Sequence, residues 1–208
     1  MYYKSVRSSI SSPIILKEKG SQFLAYGFRC ESEAAFDRQL QVLKKQHFNA
    51  THHCYGWRMY PQELKEFAQD DGEPSGTAGL PILNQMKSAN LCNSAIVVVR
   101  YFGGTKLGKP GLISAYGEAA RQCIETAPKE QLQPGRAVDL RFDYPYKRKI
   151  DDIIAQYDGI KATETFTENV AYVVHFPVSF VEKAVETFQK MEYLGVAVQE
   201  KAPVLIYS

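Results

Sequence analysis

The sequence predicts an α+β protein of two domains, one over residues 1–133 and the other over residues 134–208. Segments with the two-residue alternation of strands and segments with the helical repeat follow one another along the chain. Residues 127–135 are polar and hold two prolines and a glycine, which is typical of a linker that limited proteolysis should cut. After it, residues 136–206 have the order β-α-β-β-α-β, the split unit of ferredoxin-like domains.

The predicted elements of the first domain can be given in chain order. Strands are expected at 2–6, 13–17, 22–29, 51–60 and 95–101, and residues 61–67 form an outer connection. Helices are expected at 31–46, 78–88 and 110–126, with Ser32 as cap of the first and Thr77 or Ser75 as cap of the second. Pro110 suits the first position of the third helix.

The predicted elements of the second domain follow the linker. Strands are expected at 136–144, 160–167, 169–176 and 195–206, and helices at 146–157 and 177–191. Glu168 and Asn169 suit a tight hairpin between the two middle strands.

The composition narrows the class of protein. The chain has 208 residues, 45% of them hydrophobic, and a net charge of only +2. Residues 1–133 hold 16 Lys and Arg against 12 Asp and Glu, so the mild basicity belongs to the first domain. Four cysteines stand apart without a CxxC pair, and the first residues have no apolar signal core, so we expect a cytoplasmic protein with reduced thiols and no membrane segment.

Glycine and charge concentrate on both sides of the apolar, β-branched strand 95–101. After it, Gly103 to Lys109 fits the G-x-x-x-x-G-K pattern of a phosphate-binding P-loop. Pro110 stands where that motif needs a Ser or Thr for magnesium, so an NTPase is not expected. The glycine N–H groups and the lysines could still bind a phosphate of RNA or another anion, or the glycines could simply let the loop turn. The candidate anion-binding residues are Arg100, Tyr101, Phe102, Gly103, Gly104, Lys106, Gly108 and Lys109, together with Arg58.

The acidic loop before the second helix carries Asp70, Asp71 and Glu73. These carboxylates could bind a hard cation or act as a general acid–base pair. The favoured interpretation is structural: they cap the following helix or pair with Arg100 and Arg58.

The neighbouring residues His52, His53 and Cys54 alternate along one strand, so His52 and Cys54 share a face and His53 points the other way. A zinc site would need two more ligands, and His47 and Cys30 lie on other elements. A catalytic Cys54–His52 pair is geometrically possible but is not the favoured interpretation. No catalytic residue, metal ligand or cofactor is therefore predicted.

Several segments make the chain similar to a known family. DDGEPSGTAGLPIL, RYFGGTKLG and AYGEA, with KGSQF and ATHHCYGWR upstream, resemble the bacterial two-domain members of the IMPACT/YigZ family. The resemblance implies a first domain like domain 2 of ribosomal protein S5 and a second like domain V of elongation factor G. It also implies a link to translation. The chain departs from the family pattern at Pro110, where a glycine is usual, and at Ser114, where a basic residue is usual.

These observations favour a non-catalytic protein that binds RNA or the ribosome in the regulation of translation. An enzyme acting on a phosphorylated small molecule at the same loops is the alternative. A protein-interaction adaptor, for which the partner would be another protein, is the third hypothesis.

Overall fold

The computed structural model describes residues 3–7, 13–60 and 63–207. They form two compact units, residues 3–131 and 132–207. The strands are β1 (Tyr3–Val6), β2 (Ile14–Glu18), β3 (Ser21–Arg29), β4 (His52–Met59), β5 (Lys65–Gln69), β6 (Ser94–Tyr101), β7 (Lys129–Phe142), β8 (Ile160–Phe166), β9 (Val170–Pro177) and β10 (Ala197–Tyr207). The helices are α1 (Glu33–Gln46), α2 (Gly79–Ser88), α3 (Gly108–Thr126), α4 (Lys147–Gln156) and α5 (Val178–Gln189), with 3-10 turns at Tyr144–Tyr146 and Glu192–Leu194.

The first unit is built on an antiparallel sheet with the strand order β2-β3-β6-β4-β5. β6 lies at its centre and is buried on both faces, which explains its continuous apolar run. Ala95, Val97 and Val99 pack with α1, while Ile96 and Val98 pack with α2 and α3. The apolar strand predicted at 95–101 is confirmed.

Two helices of this unit, α1 and α3, pack an apolar face against the sheet. Ser32 caps α1 by accepting the N–H of Ala35, and Phe36, Leu40 and Leu43 are buried. α3 buries Leu112, Ala115, Tyr116, Ala119 and Cys123. It begins at Gly108, two residues before the predicted start, so Pro110 occupies its third position.

The second unit confirms the β-α-β-β-α-β order. Its antiparallel strands lie in the order β10-β7-β9-β8, and α4 and α5 pack on one face of the sheet. That face carries Val138, Leu140, Tyr172, Val174 and Phe176. The likenesses to the ribosomal protein and the elongation factor stay predictions.

Two elements differ from the sequence-based expectation. The expected connection at 61–67 gives way to strand β5, which pairs with β4, for example Trp57 opposite Phe67; Pro61 and Gln62 lie outside the described residues. The predicted linker at 127–135 is wrong, because β7 begins at Lys129 and its residues from Leu132 onward pair with β10. Pro134 and Gly135 are accommodated within this strand.

Candidate functional site

A buried ion pair joins the acidic loop to the central strand. Arg100 Nη1 lies 2.6 Å from Glu73 Oε1, and the two side chains are only 6% and 4% exposed. The Tyr116 hydroxyl, from α3, donates to the same oxygen at 2.7 Å. The positions follow from register, because Arg100 stands opposite Phe23 of β3 and His52 of β4 near the end of β6. Charged groups this deeply buried are rarely found unless paired.

Cys54 extends this group on the neighbouring strand. Its Sγ lies 3.3 Å from the Tyr116 hydroxyl and 3.0 Å from the carbonyl oxygen of Asp70. Burial raises the pKa of the Cys54 thiol, and of the Tyr116 hydroxyl, well above their ordinary values. A thiol held protonated is a poor nucleophile. We call Cys54, Glu73, Arg100 and Tyr116 the Glu73 cluster.

His52 borders the Glu73 cluster. Its Nδ1 lies 2.8 Å from the carbonyl oxygen of Asp71, and its Nε2 lies 3.8 Å from Glu73 Oε1. His53 points to the other face of β4, as the alternation predicted, and its Nδ1 lies 3.9 Å from Asp71 Oδ2. In the described ranges, no three His, Cys, Asp or Glu side chains are grouped so as to hold a metal ion.

Asp70 performs the capping that was expected of Thr77 or Ser75. Its Oδ1 accepts the N–H groups of Ala78 and Gly79 at 3.0 and 2.8 Å, and its Oδ2 accepts that of Gly76 at 2.8 Å. The residue at the cap position itself, Ala78, has no side chain that can accept a hydrogen bond. The carboxylate therefore occupies the anion position at the N-terminus of α2.

The other acidic side chains are also engaged within the protein. Asp71 Oδ2 accepts the backbone N–H of His53 at 2.6 Å, and Glu73 takes part in the cluster above. The structural interpretation of the acidic loop thus holds for Asp70, which caps α2, and for Glu73, which pairs with Arg100. It is wrong for Asp71, which bonds the backbone of His53 instead, and for Arg58, whose carboxylate partner is Glu66.

The glycine-rich loop is anchored at its first residues. Gly103 packs so closely on Gly20 that a Cβ at Gly103 would lie 1.9 Å from the Gly20 carbonyl carbon. The Gly103 N–H donates to Ser21 Oγ at 3.1 Å, and Arg100 Nη2 donates to the same oxygen at 3.4 Å. Only glycine fits at position 103, which explains this part of the motif by packing.

Beyond Gly103 the loop faces solvent. Phe102, Gly104, Lys106, Gly108 and Lys109 are all exposed, Phe102 by 47%. Neither lysine ammonium has an ion-pair partner within the described parts of the chain. Arg100 lies under the exposed ring, since its Cζ is 5.5 Å from the ring centre of Phe102 and 5.4 Å from that of Phe23. Its Nε is buried without a hydrogen-bond partner among the described residues.

The structure separates the predicted anion-binding residues into two groups. Arg58 stands opposite Ser94, at the far end of β6 from Arg100, and bonds Glu66 Oε1 at 2.8 Å and the carbonyl oxygen of Leu91 at 2.7 Å. Tyr101 is half-buried, with its hydroxyl 2.9 Å from His47 Nδ1. Arg58, Arg100 and Tyr101 are thus held inside the fold, whereas Phe102, Lys106 and Lys109 remain accessible.

All five quoted motifs meet at this place. KGSQF supplies Ser21, ATHHCYGWR supplies Cys54, the acidic motif supplies Glu73, and AYGEA supplies Tyr116 beside Arg100. Neither Ser21 nor Tyr116 was among the predicted site residues. Both residues lie in motifs that resemble the family, which was the one indication of a role in the site. Neither spacing nor periodicity indicates that Ser21 bonds Arg100 or that Tyr116 bonds Glu73.

Comparison with known proteins agrees with this convergence. Residues 19–124 match the Impact N-terminal domain. The chain belongs to the IMPACT family. The family member YvyE of Bacillus subtilis is 33% identical over 170 residues, which are 82% of this chain and 77% of that protein. A family member of Haemophilus influenzae is 31% identical over 183 residues, covering 85% of this chain and 86% of the relative.

The more distant matches differ in extent. The rat Protein IMPACT is 36% identical over 78 residues, which are 35% of this chain and 25% of that protein. A solved crystal structure of a hypothetical protein aligns over 95% of this chain and 96% of its own with a TM-score of 0.67 at 25% identity. The mixed α/β fold is therefore shared over nearly the whole chain. Among the described helices, none is long and apolar enough to cross a membrane.

Proposed function

We propose that this IMPACT family member binds RNA, free or within the ribosome, without catalysis, through the exposed side of the loop 102–109. The observation that carries the proposal is the pair of exposed cations, Lys106 and Lys109, which have no ion-pair partner among the described residues. They lie on a loop whose base is anchored to Ser21 and Gly20. Cations held on a fixed frame lose less conformational freedom when they bind a phosphate chain. Phe102 adds an exposed ring on which a base can stack.

The interior of the site supports binding rather than reaction. The Cys54 thiol stays protonated because burial raises its pKa. Asp70, Asp71 and Glu73 are committed to backbone N–H groups or to Arg100. These groups fix the shape of the two loops, and the accessible side chains are those suited to a phosphate backbone and a base.

The test is a titration of fluorescein-labelled single-stranded RNA at several salt concentrations. Each lysine that neutralises a phosphate contributes roughly 0.7–1 to the slope of log K against log salt. Lys106→Ala/Lys109→Ala should therefore lower that slope by up to about 2. Arg38→Ala/Lys45→Ala makes the same change in net charge on exposed positions of α1 and should leave the slope unchanged.

A separate variant tests stacking. Phe102→Ala should weaken binding by roughly 1–3 kcal/mol for one stacked base and leave the salt slope as it is. If the wild type and both loop variants bind with the same affinity and the same slope, the loop is not the RNA site. If the wild type does not bind RNA or ribosomes at all, the proposed function is wrong.

A further inference from the structure

The second unit carries a concave surface that is independent of the loop 102–109. α4 and α5 pack on one face of its sheet, and side chains alternate along the strands. Asp139 and Arg141 of β7 therefore lie on the opposite face, since Val138 and Leu140 face the helices. A cavity of about 370 Å³ lies on this second face, within the range of small-molecule sites.

The register shows why a cavity forms there. Arg141 stands opposite Ala171 of β9 on one side and Ala197 of β10 on the other, and Ala171 stands opposite Thr165 of β8. One long side chain is thus flanked by two methyl groups, which leaves open space on both sides of it. We call this row and the next one, Thr163, Val173, Asp139 and Gln199, the trough.

The charges of the trough favour an anion. Asp139 Oδ2 lies 3.2 Å from Lys201 Nζ, so that carboxylate is already paired. Arg141 is exposed and has no ion-pair partner among the described residues. Because Lys201 compensates the charge of Asp139, the guanidinium of Arg141 gives the trough one net positive charge. A guanidinium binds a carboxylate or phosphate through two parallel hydrogen bonds.

The remaining side chains define the rest of the ligand. Ala171 and Val173 form an apolar floor beside Arg141. The hydroxyl groups of Thr163 and Thr165 lie two strands away from Arg141, roughly 10 Å at the usual spacing of strands. A flat body about the size of one ring fits between the cation and the hydroxyl groups.

We propose that the trough binds a small organic anion, with its carboxylate or phosphate group on Arg141 and its flat apolar body on Ala171 and Val173. The hydroxyl groups of β8 then receive polar substituents at the far end of the ligand. This site lies wholly within residues 139–199 and does not depend on RNA binding by the first unit.

The experiment is a titration of the isotope-labelled full chain followed by backbone amide shifts. Benzoate and phenyl phosphate are the two probes and distinguish the carboxylate from the phosphate, while benzyl alcohol is the neutral control. Either anion should change the backbone amide chemical shifts of Arg141, Ala171 and Ala197, and the change should saturate as the anion is added. Benzyl alcohol should bind at least about tenfold more weakly, because it lacks the charged hydrogen bonds.

Matched variants locate the binding. Arg141→Gln should lower the affinity for the anion at least about tenfold. Ala197→Leu should block binding by filling the space beside Arg141. Arg148→Gln removes an exposed charge from α4, on the helix side of the sheet, and should change nothing. Unchanged affinity in Arg141→Gln, equal binding of benzyl alcohol, or no saturable shift with either anion would overturn the proposal. Amide dispersion like that of the wild type checks that each variant is folded.

Discussion

At the scale of single residues, the Glu73–Arg100 pair decides the character of the site. Two opposite charges lie in the interior, and Tyr116 and Ser21 provide their hydrogen bonds. Replacing both charged residues of such a pair can leave the stability of the protein unchanged. Removing only one of them destabilises the protein, because the other charge stays buried without a partner. Glu73 and Arg100 are therefore positioning residues for the two loops.

This pair gives the first prediction. Glu73→Gln keeps the size of the side chain but removes its charge, so it should lower the free energy of unfolding of the first unit by about 3–5 kcal/mol. The single tryptophan, Trp57, is buried in that unit and reports its unfolding in urea by fluorescence. Glu125→Gln removes a carboxylate from an exposed pair with Arg121 and should have a much smaller effect. Equal unfolding midpoints for the two variants would contradict the role of the buried pair.

At the scale of elements, a residue of the acidic loop that is distant in sequence accepts the free N–H groups at the start of α2. Asp70 precedes α2 by nine residues, yet its carboxylate accepts two N–H groups at the helix start and that of Gly76 in the preceding loop. The turn that places the Asp70 carboxylate beside the start of α2 includes Asp71 and Gly72, both with positive φ (47° and 89°). α2 and the loop therefore form one structural unit.

The second prediction compares the observed cap with an expected one. Asp70→Ala leaves three N–H groups without their acceptor and should cost about 1–2 kcal/mol in the free energy of unfolding. Ser75→Ala changes an exposed residue of the same loop and should cost less than about 0.5 kcal/mol. Urea unfolding of both variants, again followed through Trp57, separates them. A larger loss in Ser75→Ala would show that the hydroxyl rather than the carboxylate caps the helix.

At the scale of the whole molecule, the chain passes from one compact unit to the next inside strand β7 rather than through a free linker. The unit boundary lies between Gln131 and Leu132, whereas β7 runs from Lys129 to Phe142. The Lys129 ammonium also lies 2.9 Å from the carbonyl oxygen of Ala127, after the end of α3. Paired backbone must open before a protease can bind it.

The third prediction reverses the one made from composition. Native protein should resist trypsin after Lys129 and Arg136, although both residues are exposed, because their peptide bonds belong to β7. Mass spectrometry of the digest should find cuts at these positions only after urea has unfolded the protein. Rapid native cleavage at Arg136, where β7 pairs with both β9 and β10, would show that the strand opens readily.

The sequence by itself determined the elements whose burial repeats locally. The spacing of apolar residues predicts the apolar faces of α1 and α3, the burial of β6 on both faces and the β-α-β-β-α-β order. Each apolar face must be buried against another element, so its residues recur at the spacing of that helix or strand. Tertiary structure decided which polar groups meet. Arg100 reaches Glu73 and Ser21 only because β6 lies between β3 and β4, and β5 exists only through its pairing with β4. Such contacts depend on strand order and register, which local periodicity does not encode, so Arg100 looked accessible in the sequence and is buried in the fold.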